Sequence, residues 1–201
     1  LIKTLKTQDS DNKKLSTLYY GDKNSNSPRF RELLKFTPNK NDRLVICSFY
    51  SPDNNLSRLQ QKIIKDYKIL GYKIIAVVAT DTYVNDYYQA STYEADSYIV
   101  VENKFFDFCS WSIALRNNKE CGKAKELILT NDSITSRIND TYLLKKAISK
   151  IRDKSNDVCF LTRSNEVIQH GQSYFIYLSR EGINKGLLKY FENESNFRRK
   201  E

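Results

Sequence analysis

The stretch "YKIIAVVAT", Tyr72 to Thr80, decides the fold. It is apolar at nearly every position, not at every second one, so both of its faces must be buried, as in the strands of a parallel sheet covered by helices on each side. Immediately before it, Leu56, Leu59, Ile63, Tyr67 and Leu70 recur at helical spacing, with Gly71 as the stop. One step further back, "RLVICSFY" (43–50) is a second apolar run, closed by the turn residues of "SPDNN". Strand, helix, strand is the unit from which the chain is built.

The alternation continues toward the carboxyl end. "DSYIVVE" (96–102) reads as a strand, "SWSIALRNN" (110–118) as a short helix and "ELILT" (126–130) as a further strand. Leu144, Ala147, Ile148 and Ile151 mark another helix face. "VCFLT" and "SYFIYLS" are two more strands, before a last helix carrying Ile183, Leu187, Leu188 and Phe191. Such a pattern predicts an open, mainly parallel sheet with helices on both faces, and a flavodoxin-like sheet without an active site is the alternative. Residues 1–41 are polar and only weakly periodic, which predicts an extension or linker ahead of a domain spanning 42–201.

Composition bounds the function. The chain has 201 residues, 40% of them hydrophobic, enough for one domain with its own core. No stretch approaches the ~20 apolar residues of a membrane-spanning helix, and "LIKTLKTQDS" lacks the apolar core of a signal peptide. The first residue is Leu, so further domains of a larger parent protein are expected. Cys47, Cys109, Cys121 and Cys159 show no Cys-x-x-Cys spacing, which suggests reduced thiols in a cytoplasmic protein. A place at the inner face of the cytoplasmic membrane also stays open. The net charge of +9 suits a nucleotide, a polyanion or an anionic membrane, although its simplest reading is cations spread over solvated helix faces, with "NFRRKE" the one compact cluster. No recognition helix, zinc-finger spacing or RNA-binding aromatic motif accompanies the charge, so nucleic acid is not an expected partner.

Ligands of open α/β sheets bind beyond the carboxyl ends of the strands. There the apolar run "ELILT" stops on Asn131, Asp132 and Ser133, three residues that suit either an Asx-turn or helix cap, or a site. Other strand ends carry Tyr50 to Asp53, Asp81, "ENKFFDFCSW" and "QHGQSYF". The chain holds no Gly-x-Gly-x-x-Gly, Walker loop or Gly-x-Ser-x-Gly, and its single histidine, His170, makes a hydrolase triad implausible.

In order, "ENKFFDFCSWSIAL", "KELILTNDS" and "FLTRSNE" followed by "HGQSYFIYLS" resemble the rhamnan synthesis F family of bacterial polysaccharide glycosyltransferases, over roughly Arg43 to Glu194. Glu102, Asn103, Asp107, Phe108, Ser110 and Trp111 fit its first motif; Leu129, Asn131, Asp132 and Ser133 its second; His170, Gln172, Ser173, Tyr174 and Phe175 its third. The chain departs from the family at Phe105, at Cys109 and in "ITSRI" after the Asn-Asp-Ser. The resemblance implies a GT-A-like (nucleotide-diphosphosugar transferase) Rossmann-like open mixed sheet with helices on both faces. It implies transfer of a sugar, rhamnose being one candidate, from a nucleoside diphosphate to a growing cell-surface polysaccharide or lipid-linked glycan. A non-catalytic carbohydrate-binding or scaffolding domain of a polysaccharide-assembly protein is the alternative.

For such a transfer Asp132 is the expected ligand of a divalent cation, Mg2+ or Mn2+, which needs hard oxygen donors. Asn131 and Ser133 would orient it or touch the donor. Tyr50 could stack on the base, Asp53 or Asp81 accept from base or ribose, and Asn103 and Asp107 bind the sugar. Trp111 reads more simply as core. His170 and Gln172 straddle Gly171 and are expected to share a face toward the acceptor. Asp157 and Glu166 are the carboxylates open to the role of base for the acceptor hydroxyl.

Overall fold

The computed structural model describes residues 18–19, 28–52, 55–81, 94–104, 107–136, 138, 140–164, 170–172 and 174–192. At its centre lies β3 (Arg43–Tyr50), hydrogen-bonded in parallel to β4 (Lys73–Thr80) on one edge and to β6 (Glu126–Asn131) on the other. β5 (Ser97–Glu102) extends the parallel set beyond β4. Beyond β5, β2 (Phe30–Leu34) and the short β1 (Leu18–Tyr19) pair antiparallel. Beyond β6, β10 (Phe175–Leu178) is antiparallel to it and carries β7 (Val158–Phe160) at the edge. The order is β1-β2-β5-β4-β3-β6-β10-β7, a mixed sheet with a parallel core. β8 (Arg163–Ser164) and β9 (His170–Gly171) form a separate hairpin.

Helices cover both faces. α1 (Arg58–Ile69) and α3 (Thr141–Asp153) pack through Ile63, Ile64, Tyr67, Leu144 and Ile148 on Val45, Cys47, Ile74, Ala76 and Ile128. α2 (Asp107–Asn117), α4 (Arg180–Asn184) and α5 (Lys189–Glu192) lie on the other face, where Trp111, Ile113, Leu115, Ile183 and Leu188 meet Leu44, Ile46, Val77 and Leu129. Alternate residues of each central strand thus feed two separate apolar layers, which is why their sequences are apolar throughout. α1 begins at Ser57, whose hydroxyl accepts from the Gln60 amide while the Gln60 side chain accepts from the Ser57 amide, a capping box. It stops where Gly71 takes a φ of 80°, a conformation that costs a glycine little.

Three sequence expectations shift. Residues 1–41 are not wholly an extension: Phe30 to Leu34 form a strand of the sheet, hidden in the sequence by Arg31 and Glu32, although Glu32 is buried opposite Ile99. The helix expected near Ser110 begins at Asp107. Leu59, expected on the buried face of α1, stands 45% exposed because it lies in the first turn, beside the sheet's rim.

At the amino end of β6, Glu126 is buried and saturated with donors. Its carboxylate accepts from Tyr72 Oη at 2.6 Å, Tyr177 Oη at 3.0 Å and Arg152 Nε at 2.9 Å, and Arg152 Nη2 bonds it as well. Burial alone would raise its pKa, but the Arg152 and Tyr72 bonds outweigh burial and hold it below the ordinary glutamate range. A lowered folded-state pKa contributes stability that is present above the unfolded value and lost as pH falls through the folded one. Glu126→Gln is therefore expected to cost about 3 kcal/mol at neutral pH by stranding Arg152. Urea melts at a series of pH values should show that deficit shrinking as the solution is acidified below the ordinary glutamate range.

Candidate functional site

All four parallel strands end at the same edge of the sheet, and their terminal residues are polar. From β5 to β6 they are joined by a line of hydrogen bonds. Asn103 Nδ2 donates to Asp81 Oδ1 at 2.8 Å, and Tyr50 Oη donates to Asp81 Oδ2 at 2.5 Å. The Tyr50 carbonyl accepts from Gln60 Nε2 at 2.9 Å, and the same amide reaches Asp132 Oδ2 at 3.1 Å. The two donors, Tyr50 first and Asn103 second, hold the exposed Asp81 carboxyl below its usual range.

At the end of β6, Asn131-Asp132-Ser133 forms a turn. Asn131 is buried, and its Oδ1 accepts from the Ser133 amide at 3.1 Å, the Asx-turn that starts the 3-10 segment Asp132–Ser136. Its Nδ2 donates to Asp107 Oδ2 at 2.5 Å, at the first turn of α2. The turn is thus made by Asn131, and the Asp132 carboxylate is left to face Gln60 on the α1 side. Ser133 is exposed.

Asp107 and Asp132 are close enough to sense each other's charge. Burial pushes the Asp107 carboxyl up, hydrogen bonds from Asn131 and Ser48 oppose this, and the negative charge of Asp132 adds to the rise. Among the described residues the two carboxylates are held by the Gln60 and Asn131 amides and the Ser48 hydroxyl. Oxygen-only donors of this kind fit a hard divalent cation that takes its other ligands from a bound anion and water. Among the described residues no group of three or more His, Cys, Asp or Glu side chains is placed to hold a metal ion.

The other expected residues fall as follows. Trp111 is fully buried and its indole N–H donates to the Thr130 carbonyl at 3.2 Å, which makes it core. The β8–β9 hairpin leaves the sheet at the same end as Asp132, because Phe175 pairs with Thr130 and Phe160 with Ile176. Gln172 sits there, its Oε1 accepting from Thr162 Oγ1 at 2.5 Å, and Thr162 also bonds the Tyr174 hydroxyl. A Cβ on Gly171 would run into the Phe160 ring, so a larger residue there would force that ring on β7 to shift. The backbone of His170 belongs to β9; its side chain lies outside the description, as do Asp53 and Glu166. Asp157 is not brought to this edge. It precedes β7 at the amino end of the parallel strands, its carboxylate paired with Lys185 Nζ at 2.5 Å and its carbonyl accepting from the Ser179 amide at 3.0 Å.

Two members of the cluster escaped the sequence reading. Gln60 carries a visible signal, the Ser-x-x-Gln of a capping box at Ser57 to Gln60, though that pattern speaks of the helix end and not of Asp132. Ser48, a hydroxyl in an otherwise apolar strand, bonds Asp107. No protein-family model matches the chain, and no curated protein matches it.

A raised carboxyl pKa means that folding favours the protonated form, so stability is lost as pH rises from the ordinary aspartate range through the raised value. Asp107→Asn keeps an acceptor for Asn131 and removes that loss. It is expected to stabilise the protein by on the order of 1 kcal/mol at pH 7. The advantage should vanish in melts run below the ordinary aspartate range; a loss of stability at neutral pH would mean that Asp107 is a cap and no more.

Proposed function

We propose that the chain is a glycosyltransferase domain with a GT-A-like fold, acting on a nucleoside-diphosphate sugar in the manner of the rhamnan synthesis F family. One observation carries the reading. Residues from three separate sequence motifs (Asn103 and Asp107, then Asn131 and Asp132, then Gln172) converge on one edge of the sheet. A helix cap or an isolated turn would not require that convergence. The antiparallel β10 beside a parallel core further favours this reading over a purely parallel flavodoxin-like sheet.

In this reading the transferred sugar's bond to the diphosphate breaks, a bond to an acceptor hydroxyl forms, and the hydroxyl gives up its proton to a base. Asp132 and Asp107 would hold Mg2+ or Mn2+, which when bound neutralises the leaving diphosphate. Gln60 fixes the Asp132 carboxylate from the α1 side, and Asn131 fixes Asp107 from the β6 side, so both acids are oriented before any ligand arrives. Tyr50, Asp81 and Asn103 offer a ring, a carboxylate and an amide for the nucleoside and sugar hydroxyls. The hairpin bearing His170 and Gln172 would receive the acceptor, a polysaccharide or lipid-linked glycan. Asp157, ion-paired at the far end of the sheet, is not the base in this scheme.

Calorimetric titration with a panel of uridine and deoxythymidine diphosphate sugars tests the proposal. Binding to at least one donor in the presence of manganese, its loss in Asp132→Ala, and an unchanged circular dichroism spectrum are expected, since a carboxylate at the strand end adds little to the core. Donor binding by Asp132→Ala equal to that of the unaltered chain would leave Asn131-Asp132-Ser133 as a turn alone.

A further inference from the structure

The basic charge is not spread evenly over the molecule. α1 carries four basic residues (Arg58, Lys62, Lys65 and Lys68) against Asp66 alone, and α3 carries Lys145, Lys146, Lys150 and Arg152 against Asp153 alone. The α-helices of the opposite layer are balanced, with Arg116 against Asp107 in α2, Arg180 against Glu181 in α4 and Lys189 against Glu192 in α5, and its 3-10 segment Lys119–Lys123 carries two lysines against Glu120. Arg152 turns inward to Glu126, but Arg58, Lys62, Lys65, Lys145, Lys146 and Lys150 are all exposed.

Large apolar side chains stand exposed on the same two helices. Tyr142 is 68% exposed, Ile69 65%, Leu143 47% and Leu59 45%. The two helices meet at a narrow seam. The Thr141 hydroxyl donates to Asp66 Oδ1 at 2.7 Å, which sets the first turn of α3, with Tyr142 and Leu143, against the middle of α1. Ile69 lies one turn beyond Asp66, and Leu59 and Lys62 line the shallow groove that runs along this seam with Ile134, Thr135 and Ile138.

We propose that the outer face of α1 and α3 is a docking surface for an anionic lipid bilayer. Lysines attract the negative headgroup layer, and Leu, Ile and Tyr side chains among them enter the boundary between headgroups and acyl chains. A nucleic acid would use the cations but gains nothing from exposed Leu59, Ile69 and Leu143, which is why the lipid surface is the better occupant. No helix among the described residues is long and apolar enough to cross a membrane, so the contact is peripheral. The inference uses only the outward sides of the two helices and stands apart from the transferase reading.

Flotation of the full chain with vesicles tests it. Vesicles of pure phosphatidylcholine are expected to bind weakly or not at all, and vesicles enriched in phosphatidylglycerol to bind in a salt-sensitive manner. Replacing Lys145, Lys146 and Lys150 by Gln should lower partitioning by about a hundredfold, at roughly fivefold for each lysine near the surface. Tyr142→Ser with Leu143→Ser, which leaves the charge untouched, should lower it by about tenfold with an unchanged circular dichroism spectrum. Replacing Lys119, Lys123 and Lys189 on the opposite layer should change little. The proposal is overturned by absence of binding to anionic vesicles, by equal losses from the two lysine sets, or by tighter binding to a DNA duplex that ignores the Tyr142 and Leu143 change.

Discussion

The parallel pairing of β3 along both of its edges is the constraint from which the rest of the molecule follows. A strand flanked on each side by parallel partners can be connected to them only by crossovers, and here these run through α1 on one face and α2 on the other. Both faces of the strand are then dry, which accounts for six consecutive buried residues in "RLVICSFY". The same parallel arrangement brings every carboxyl end to one edge, so the polar residues that stop each apolar run are forced into company. The candidate site is in this sense a product of the topology before it is a product of any one side chain.

Within that edge, the two amides Gln60 and Asn131 do different jobs on either side of β6. Asn131 closes the turn with one atom and holds Asp107 with the other; Gln60 caps its own helix, ties down the end of β3 and reaches Asp132. Among the described residues neither acid is ion-paired to a lysine or arginine, although the chain has basic residues in excess. The contrast with Glu126 at the opposite end is instructive. That carboxylate is surrounded by Arg152, Tyr72 and Tyr177, whose hydrogen bonds hold it below the ordinary glutamate range. Asp107 is instead pushed up by burial, with the negative charge of Asp132 adding to the rise.

How much of this was legible followed from burial. The central strands were read from their sequences because two-sided burial leaves an unambiguous apolar run, and α1 because its capping box and Gly71 mark both ends. β2 was not legible, since Arg31 and Glu32 interrupt its apolar pattern and only Glu32 of its five residues is buried. Asn131, Asp132, Asp107 and Asn103 were found because strand ends are where polar residues in such a sheet meet. Asp157 was grouped with them, but it precedes β7, which runs in the direction of the parallel core, and so lies at the far end. Even charge along helix faces was the natural reading of a Lys-rich chain, yet only the folded arrangement shows that α1 and α3 cover the same face of the sheet.

The claim on which the account rests is that Asp107 and Asp132 form an acidic pair made for a cation and the anion that accompanies it. Paramagnetic broadening by Mn2+ of the amide signals of the isotope-labelled protein, with a nucleoside diphosphate present, tests this most directly. The account predicts broadening confined to the carboxyl ends of β3 and β6, the 3-10 turn after Asn131 and the first turn of α2. Broadening centred on other exposed acids such as Asp140 or Asp153, or none above that caused by free Mn2+, would contradict it.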